Sequence, residues 1–189
     1  MIVADAGPII SLARAGLLEI LPILIGQIAL PPAAFSEITR ESSKPGALEI
    51  RDAAWVTVEQ VPAEAETLLL SRNLGPGERE AIRLAHAKGA VRLLDEHRAR
   101  REAARLGIPL TSTLALLEEA QRRSLIPSLG QALDRLQNSA FRLSARLREE
   151  VLHRSREGQP TQSLLKADPT SHLRSSRPAP LVRYGRGVL

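Results

Sequence analysis

Apolar positions change period along this chain, and each change marks the edge of an element. "IVAD" at 2–5 is a short, β-branched apolar run halted by Asp5 and "AGP", which predicts a buried strand ending at the acid. "PIISLARAG" and "LLEILPIL" follow at helical spacing, the first closed by Gly16 and the second interrupted by Pro22. "QIAL" at 27–30 predicts a second strand, and "PPAAFSEITRE" a helix whose prolines sit where a first turn tolerates a missing N–H. "KPGALEIRDAA" predicts a short helix, and "WVTVEQV" alternates like a strand near a sheet edge.

Beyond residue 74 the alternation becomes regular. A helix is predicted from Pro76 to Lys88, stopped by Gly89; "AVRLL" is a strand; "EHRARREAARLG" is a helix stopped by Gly107; "IPLT" is a strand. "STLALLEEAQRRSL" is a helix with Ser112 or Thr113 as N-cap, and two further helices lie near 128–137 and 144–154. Strands alternating with helices imply βαβ units, so the predicted class is α/β, with a central, mostly parallel sheet covered on both faces. No repeat of solenoid period is visible.

Composition narrows the function. The chain has 189 residues and 43% apolar content, enough for one core and an appendage. The absence of cysteine excludes disulfides, thiol catalysis and cysteine-held metals, and fits a cytoplasmic protein. Histidines 86, 97, 153 and 172 have no ligand-like spacing. The start "MIVADAGPII" lacks a basic leader segment, and the longest apolar stretches are broken by Glu, Pro and Gly, so neither a signal peptide nor a membrane span is expected. The net charge of +5 is uneven: from Ser155 onward six Arg or Lys face two Asp or Glu, which leaves 20 against 19 for residues 1–154. The expected organisation is a globular domain over 1–154 and a basic, disordered tail over 155–189, either a dispensable extension or a polyanion-binding arm.

Candidate chemistry lies in four acids. Asp5 and Asp95 each follow a predicted strand, which puts both at the carboxyl edge of the sheet, where parallel α/β folds bind ligands. Glu78 heads the apolar stripe of its helix, followed by Ala81, Ile82 and Ala85, whereas Glu80 shares a mixed face with Arg83, Leu84 and Ala87. Glu37 follows Ala33 and Ala34, a small-residue side that allows close approach of a neighbouring element. Each acid alone could be a cap or a first-turn residue. Gathered together they would repel one another unless a cation joined them, and an all-oxygen site points to Mg²⁺ or Mn²⁺ and to phosphoryl hydrolysis.

Five ordered segments, "VADAGPIISLARAG", "LPPAAFSEI", "LGPGEREAIRLA", "LLDEHRARREAARLG" and "IPLTSTLALLEEA", resemble the PIN-domain ribonucleases, in particular VapC-like toxins and an uncharacterised prokaryotic subfamily, over roughly residues 1–150. The resemblance implies a three-layer α/β/α domain with an acidic pocket for Mg²⁺ or Mn²⁺. Its acids map onto Asp5, Glu37, Glu78 and Asp95 as metal-holding and catalytic groups. Glu78 stands eleven residues before Gly89, where relatives usually have aspartate, and Glu80 is the substitute. Ser11 and Thr113 map to polar positions at the pocket rim. Where the subfamily often has glycine between two threonines, Ser112 stands here, which either narrows the pocket or alters a cap.

The resulting expectation is a metal-dependent endoribonuclease. Arg98, Arg100, Arg101 and Arg105, with Arg122 and Arg123, could attract the RNA backbone or balance Glu96 and Glu102. One Trp, one Tyr and two Phe leave little for base stacking. The resemblance further implies an antitoxin partner and a homodimer. The rivals are a catalytically silent PIN-like RNA-binding module and a haloacid-dehalogenase-like phosphohydrolase. The latter wants a second aspartate two residues after the first, where this chain has Gly7.

Overall fold

A computed structural model describes residues 1–139 and 141–156. Five short strands, β1 (Ile2–Ala4), β2 (Ile28–Leu30), β3 (Val56–Val58), β4 (Val91–Leu93) and β5 (Leu110–Thr111), form one sheet in the order β3-β2-β1-β4-β5. Every pairing is parallel, with Val3 beside both Ala29 and Arg92, and Ala4 beside Leu93. The α/β class is therefore as expected, and the "WVTVEQV" segment does lie at an edge.

Among the described residues, ten helices connect and cover the strands: α1 (Ala6–Arg14), α2 (Ile20–Ile25), α3 (Pro32–Thr39), α4 (Ala47–Arg51), α5 (Ala63–Glu66), α6 (Pro76–Lys88), α7 (His97–Arg105), α8 (Thr113–Arg122), α9 (Leu129–Asn138) and α10 (Ala145–Arg156). Side chains alternate across a strand, so the sheet feeds two cores. Ile2, Ala4, Ile28, Leu30 and Leu93 pack with residues of α1, α2, α8 and α9. Val3, Ala29 and Leu94 pack on the other side with Ala81, Ile82, Leu84 and Ala85 of α6 and Ala99 and Ala103 of α7.

Four places correct or sharpen the expectation. Pro22 does not interrupt its helix, because α2 starts at Ile20 and the proline falls in the first turn, where its missing N–H breaks no helical bond. The short α5 was not expected; it starts directly after Pro62 with Glu64 and Glu66 in its first turn. Ser112 is the N-cap of α8, its hydroxyl accepting from Ala115 N, so its departure from the family pattern is absorbed by a cap. Ser155 and Arg156 continue α10, and the tail expected beyond them lies outside the described residues. Among the described residues, no helix is long and apolar enough to cross a membrane.

The chain crosses from β1 to β2 and β3 on one side and to β4 and β5 on the other. The connections therefore part between β1 and β4, which makes the carboxyl edge of this pair the natural crevice of the sheet.

Candidate metal and phosphodiester site

Asp5 and Asp95 stand at that crevice. Asp5 is the residue after β1 and the N-cap of α1, its Oδ1 accepting from Gly7 N at 3.1 Å. Asp95 lies two residues beyond β4 and is held from below by Thr113, whose N–H and hydroxyl donate to its two oxygens at 2.9 and 2.5 Å. Glu78 comes from the first turn of α6, and its Oε2 accepts from Gly75 N at 2.7 Å, closing that turn. Glu37 projects, exposed, from α3. All four acids line one open cavity of about 490 Å³, together with Ser11, Gly7, Glu96, Phe141 and Arg142.

Two candidates lie elsewhere. Glu80 does not line the cavity; its Oε2 accepts from Ala33 N at 2.9 Å and ties α6 to the first turn of α3, where a helix has unsatisfied donors. Beside this tie the two helices nearly touch: a methyl group added at Gly77 would meet Ala34 Cα at 3.4 Å. The small side foreseen for α3 thus serves its approach to α6 and brings Glu37 to the rim. Thr113 is fully buried behind Asp95 instead of at the rim.

The electrostatics of the floor are unusual. Asp5 is 5% exposed, and burial pushes its carboxyl from 3.8 up to about 7; Glu78 and Asp95 push the same way, while Arg92 and the Gly7 N–H oppose them. Burial also raises Asp95, against the pull of its two Thr113 hydrogen bonds and of Arg100. Arg92 was not foreseen. It sits on β4, fully buried, with Nη2 3.4 Å from Asp5 Oδ2, and burial lowers it to about 10.

The arginines of α7 divide. Arg100 turns inward, donating to Leu94 O at 3.2 Å. Arg98, Arg101 and Arg105 line a second cavity of about 480 Å³ with Ser71, Asn73 and Glu102. Of these, Arg105 pairs with Glu102 at 2.9 Å, while Arg98 and Arg101 form no ion pair among the described residues. Glu96 balances none of them, because it caps α7 by accepting from His97 N and Arg98 N. Arg122 and Arg123 both pair with Glu119. The two cavities have no lining residue in common, but Gly75 and Glu96 of the first stand two residues along the chain from Asn73 and Arg98 of the second.

Among the described residues, no three acid or imidazole groups stand close enough together to hold an ion. Each inner acid is engaged by a donor of the chain itself: Asp5 by Gly7 and Arg92, Asp95 by Thr113, Glu78 by Gly75. A carboxylate oxygen has two lone pairs, so one accepted hydrogen bond leaves room for a cation. The donor chemistry, all oxygen with one carboxyl raised to about 7 by burial and by neighbouring acids, fits a hard divalent ion.

Phe141 and Arg142 were missed by sequence reasoning. They follow α9, beyond the last recognisable motif, and reach the cavity only through the packing of α9 and α10. Among families of known proteins, the profile described as PIN domain matches residues 1–157. No curated protein and no solved structure matches the chain.

Proposed function

The chain belongs to the PIN-domain family, and from that premise we propose that it is a metal-dependent endoribonuclease, with Asp5, Glu37, Glu78 and Asp95 as the acids that hold Mg²⁺ or Mn²⁺. One observation carries the reading: four acids from four separate elements open into a single cavity at the divergence of a parallel sheet, and the most buried of them keeps a raised carboxyl despite its contact with Arg92. When bound, the cation supplies polarisation of the phosphodiester and hydroxide from water at neutral pH.

The rest falls to the chain. Asp5 and Asp95 are the rigid pair, each fixed by backbone or hydroxyl donors and thus preorganised for a ligand. Glu37, exposed on α3, is the adaptable member. Arg142 at the rim is placed to meet a phosphate oxygen, and Ser11 can donate to one. Arg98 and Arg101, in no ion pair among the described residues, line the second cavity and would draw the flanking RNA strand by releasing its counterions, with Arg105 supporting them. Arg100 has a different part in this reading, buttressing the strand end beneath Asp95.

A toxin role under the control of an antitoxin, and a homodimeric state, belong to the same proposal on the resemblance to VapC-like proteins alone. A basic antitoxin segment is the chemistry that would fill an acidic cavity of this kind. The alternative of a silent RNA-docking module draws on one observation, that Asp5 already has a resident cation in Arg92.

Cleavage of a mixed single-stranded RNA pool with Mn²⁺ or Mg²⁺ decides between them. Asp5→Asn and Asp95→Asn should each lose more than the roughly 10–100-fold that removal of an outer partner of a metal ligand costs. Equal cleavage by the wild type and both variants would assign the activity to a contaminant or to another site. RNA binding without cleavage by any of the three would leave the docking module.

A further inference from the structure

Arg92 is the most unusual buried group in the chain. It occupies the middle of β4, fully buried, between Val91 and Leu93. Its register partner is Val3, and alternation along β1 puts Val3 and Asp5 on the same face, so the guanidinium and the Asp5 carboxylate meet on the α6 side of the sheet. The apolar cluster on that side of the sheet includes the small residues Ala81, Ala85, Ala99 and Ala103 of α6 and α7. Among the described residues, the only hydrogen bond of its side chain is the 3.4 Å contact to Asp5 Oδ2, and Nε and Nη1 have no partner. A buried cation with two orphaned donors is costly to keep, and a hydrophobic residue of similar volume would serve the packing at least as well. Packing therefore does not explain it. What it does is place a permanent positive charge directly behind the acid that lies deepest in the cavity.

We propose that Arg92 is a resident counter-ion that weakens divalent-metal binding at Asp5, setting the affinity of the site low. The inference rests on the metal-site reading given above and adds a direction to it. The guanidinium neutralises Asp5 while no metal is bound, and repels a metal that arrives from the cavity side.

The sign follows from charge alone. Coulomb repulsion grows with the product of the charges, so the guanidinium beside Asp5 opposes a divalent cation twice as strongly as a monovalent one at the same distance. For a cation that Asp5 would hold from the cavity, about tenfold tighter binding without Arg92 is the expectation at pH 7.5.

The test is calorimetric titration of the full-length protein with Mn²⁺ alone at pH 7.5, for the wild type, Arg92→Met and Arg92→Gln. Met keeps the stem without charge or donors, and Gln keeps a donor without charge. Circular dichroism reports whether each variant is folded, and either folded variant is sufficient. Tighter Mn²⁺ binding by about tenfold in the neutral variants is the expected result. Damage to the acid cluster would move affinity the other way, so a gain cannot come from a merely structural role. Equal or weaker binding by a folded neutral variant overturns the counter-ion role and leaves the metal site standing. If none of the three proteins binds Mn²⁺, the metal site falls and Arg92's role falls with it.

Discussion

The raised carboxyl of Asp5 should make the metal-free protein lose stability as pH rises, opposite to the usual behaviour of an acid that is salt-bridged in the folded state. The perturbation is a pH series on the wild type and Asp5→Asn with a chelator present. In the unfolded chain Asp5 titrates near 3.8, and in the folded chain near 7. The folded state thus binds the proton more tightly. Its stabilising contribution is full below pH 3.8, declines between about 4 and 7, and is gone above 7. At 1.36 kcal/mol per pH unit, the interval amounts to about 4 kcal/mol. Asp5 is only 5% exposed, so solvent screening discounts this little.

Asp95 is raised too and contributes in the same direction, whereas Glu41, Glu102 and Glu119 are lowered by their basic partners and contribute in the opposite one. Those groups are common to both proteins, so the difference in unfolding free energy between wild type and Asp5→Asn isolates Asp5. Urea unfolding followed by the single Trp, Trp55, which is half-buried against the core, gives that difference at each pH. It should shift by about 4 kcal/mol against the wild type between pH 4 and 8. Mn²⁺ at about 100 times its Kd should return about 2.7 kcal/mol to the wild type at pH 8. A difference that stays constant to within about 1 kcal/mol across the series would mean that Asp5 titrates normally and the cavity floor is wet, which removes the electrostatic case for a cation there.

Three further outcomes follow from the same contacts. Thr113→Val deletes the 2.5 Å hydrogen bond that favours the ionised form of Asp95 against its burial, so it should cost about 1.5–3 kcal/mol of stability at neutral pH and move the acid limb of the kcat/KM profile to higher pH; an unmoved limb would detach Asp95 from the rate. Glu80→Ala orphans the Ala33 N–H and should lower urea stability by roughly 1–2 kcal/mol, while Glu80→Gln, which still accepts, should retain most of it; equal loss in both would point to charge instead of capping. The pair Arg98→Ala and Arg101→Ala, made in an Asp5→Asn background so that RNA persists, should flatten the plot of log affinity against log salt by about 1.4 for single-stranded RNA, and an unchanged slope would return both arginines to the role of a solvated helix face.

What could be read from the chain and what could not divide along a physical line. The bounds of α6, Pro76 to Lys88, were readable because both signals are local: a proline in the first turn and Gly89, whose φ of 57° suits a residue without a side chain. The strand ends before Asp5 and Asp95 were readable for the same reason, since a period change at a βα junction is a property of ten adjacent residues. Choosing Glu78 over Glu80 for the cavity also needed only the helical period. Its converse, that Glu80 captures Ala33 N, joins residues 47 apart and has no local sign.

Arg92 is the extreme case. Within "AVRLL", predicted only as a strand, no local signal marks the arginine as buried. Its one side-chain partner among the described residues is an acid 87 residues earlier. Periodicity reports where a side chain points, not what waits there. For an apolar position the two are nearly equivalent, because any apolar neighbour will serve. For a buried charge they are not, because its cost is set by the one partner it finds. The same asymmetry separates the fold of this chain from its chemistry. The α/β frame is specified by many interchangeable contacts and survives the misreading of Pro22 and the omission of α5. In the counter-ion proposal, the affinity of its acids for a cation turns on one guanidinium, which no pattern of apolar and polar positions distinguishes from an arginine in water.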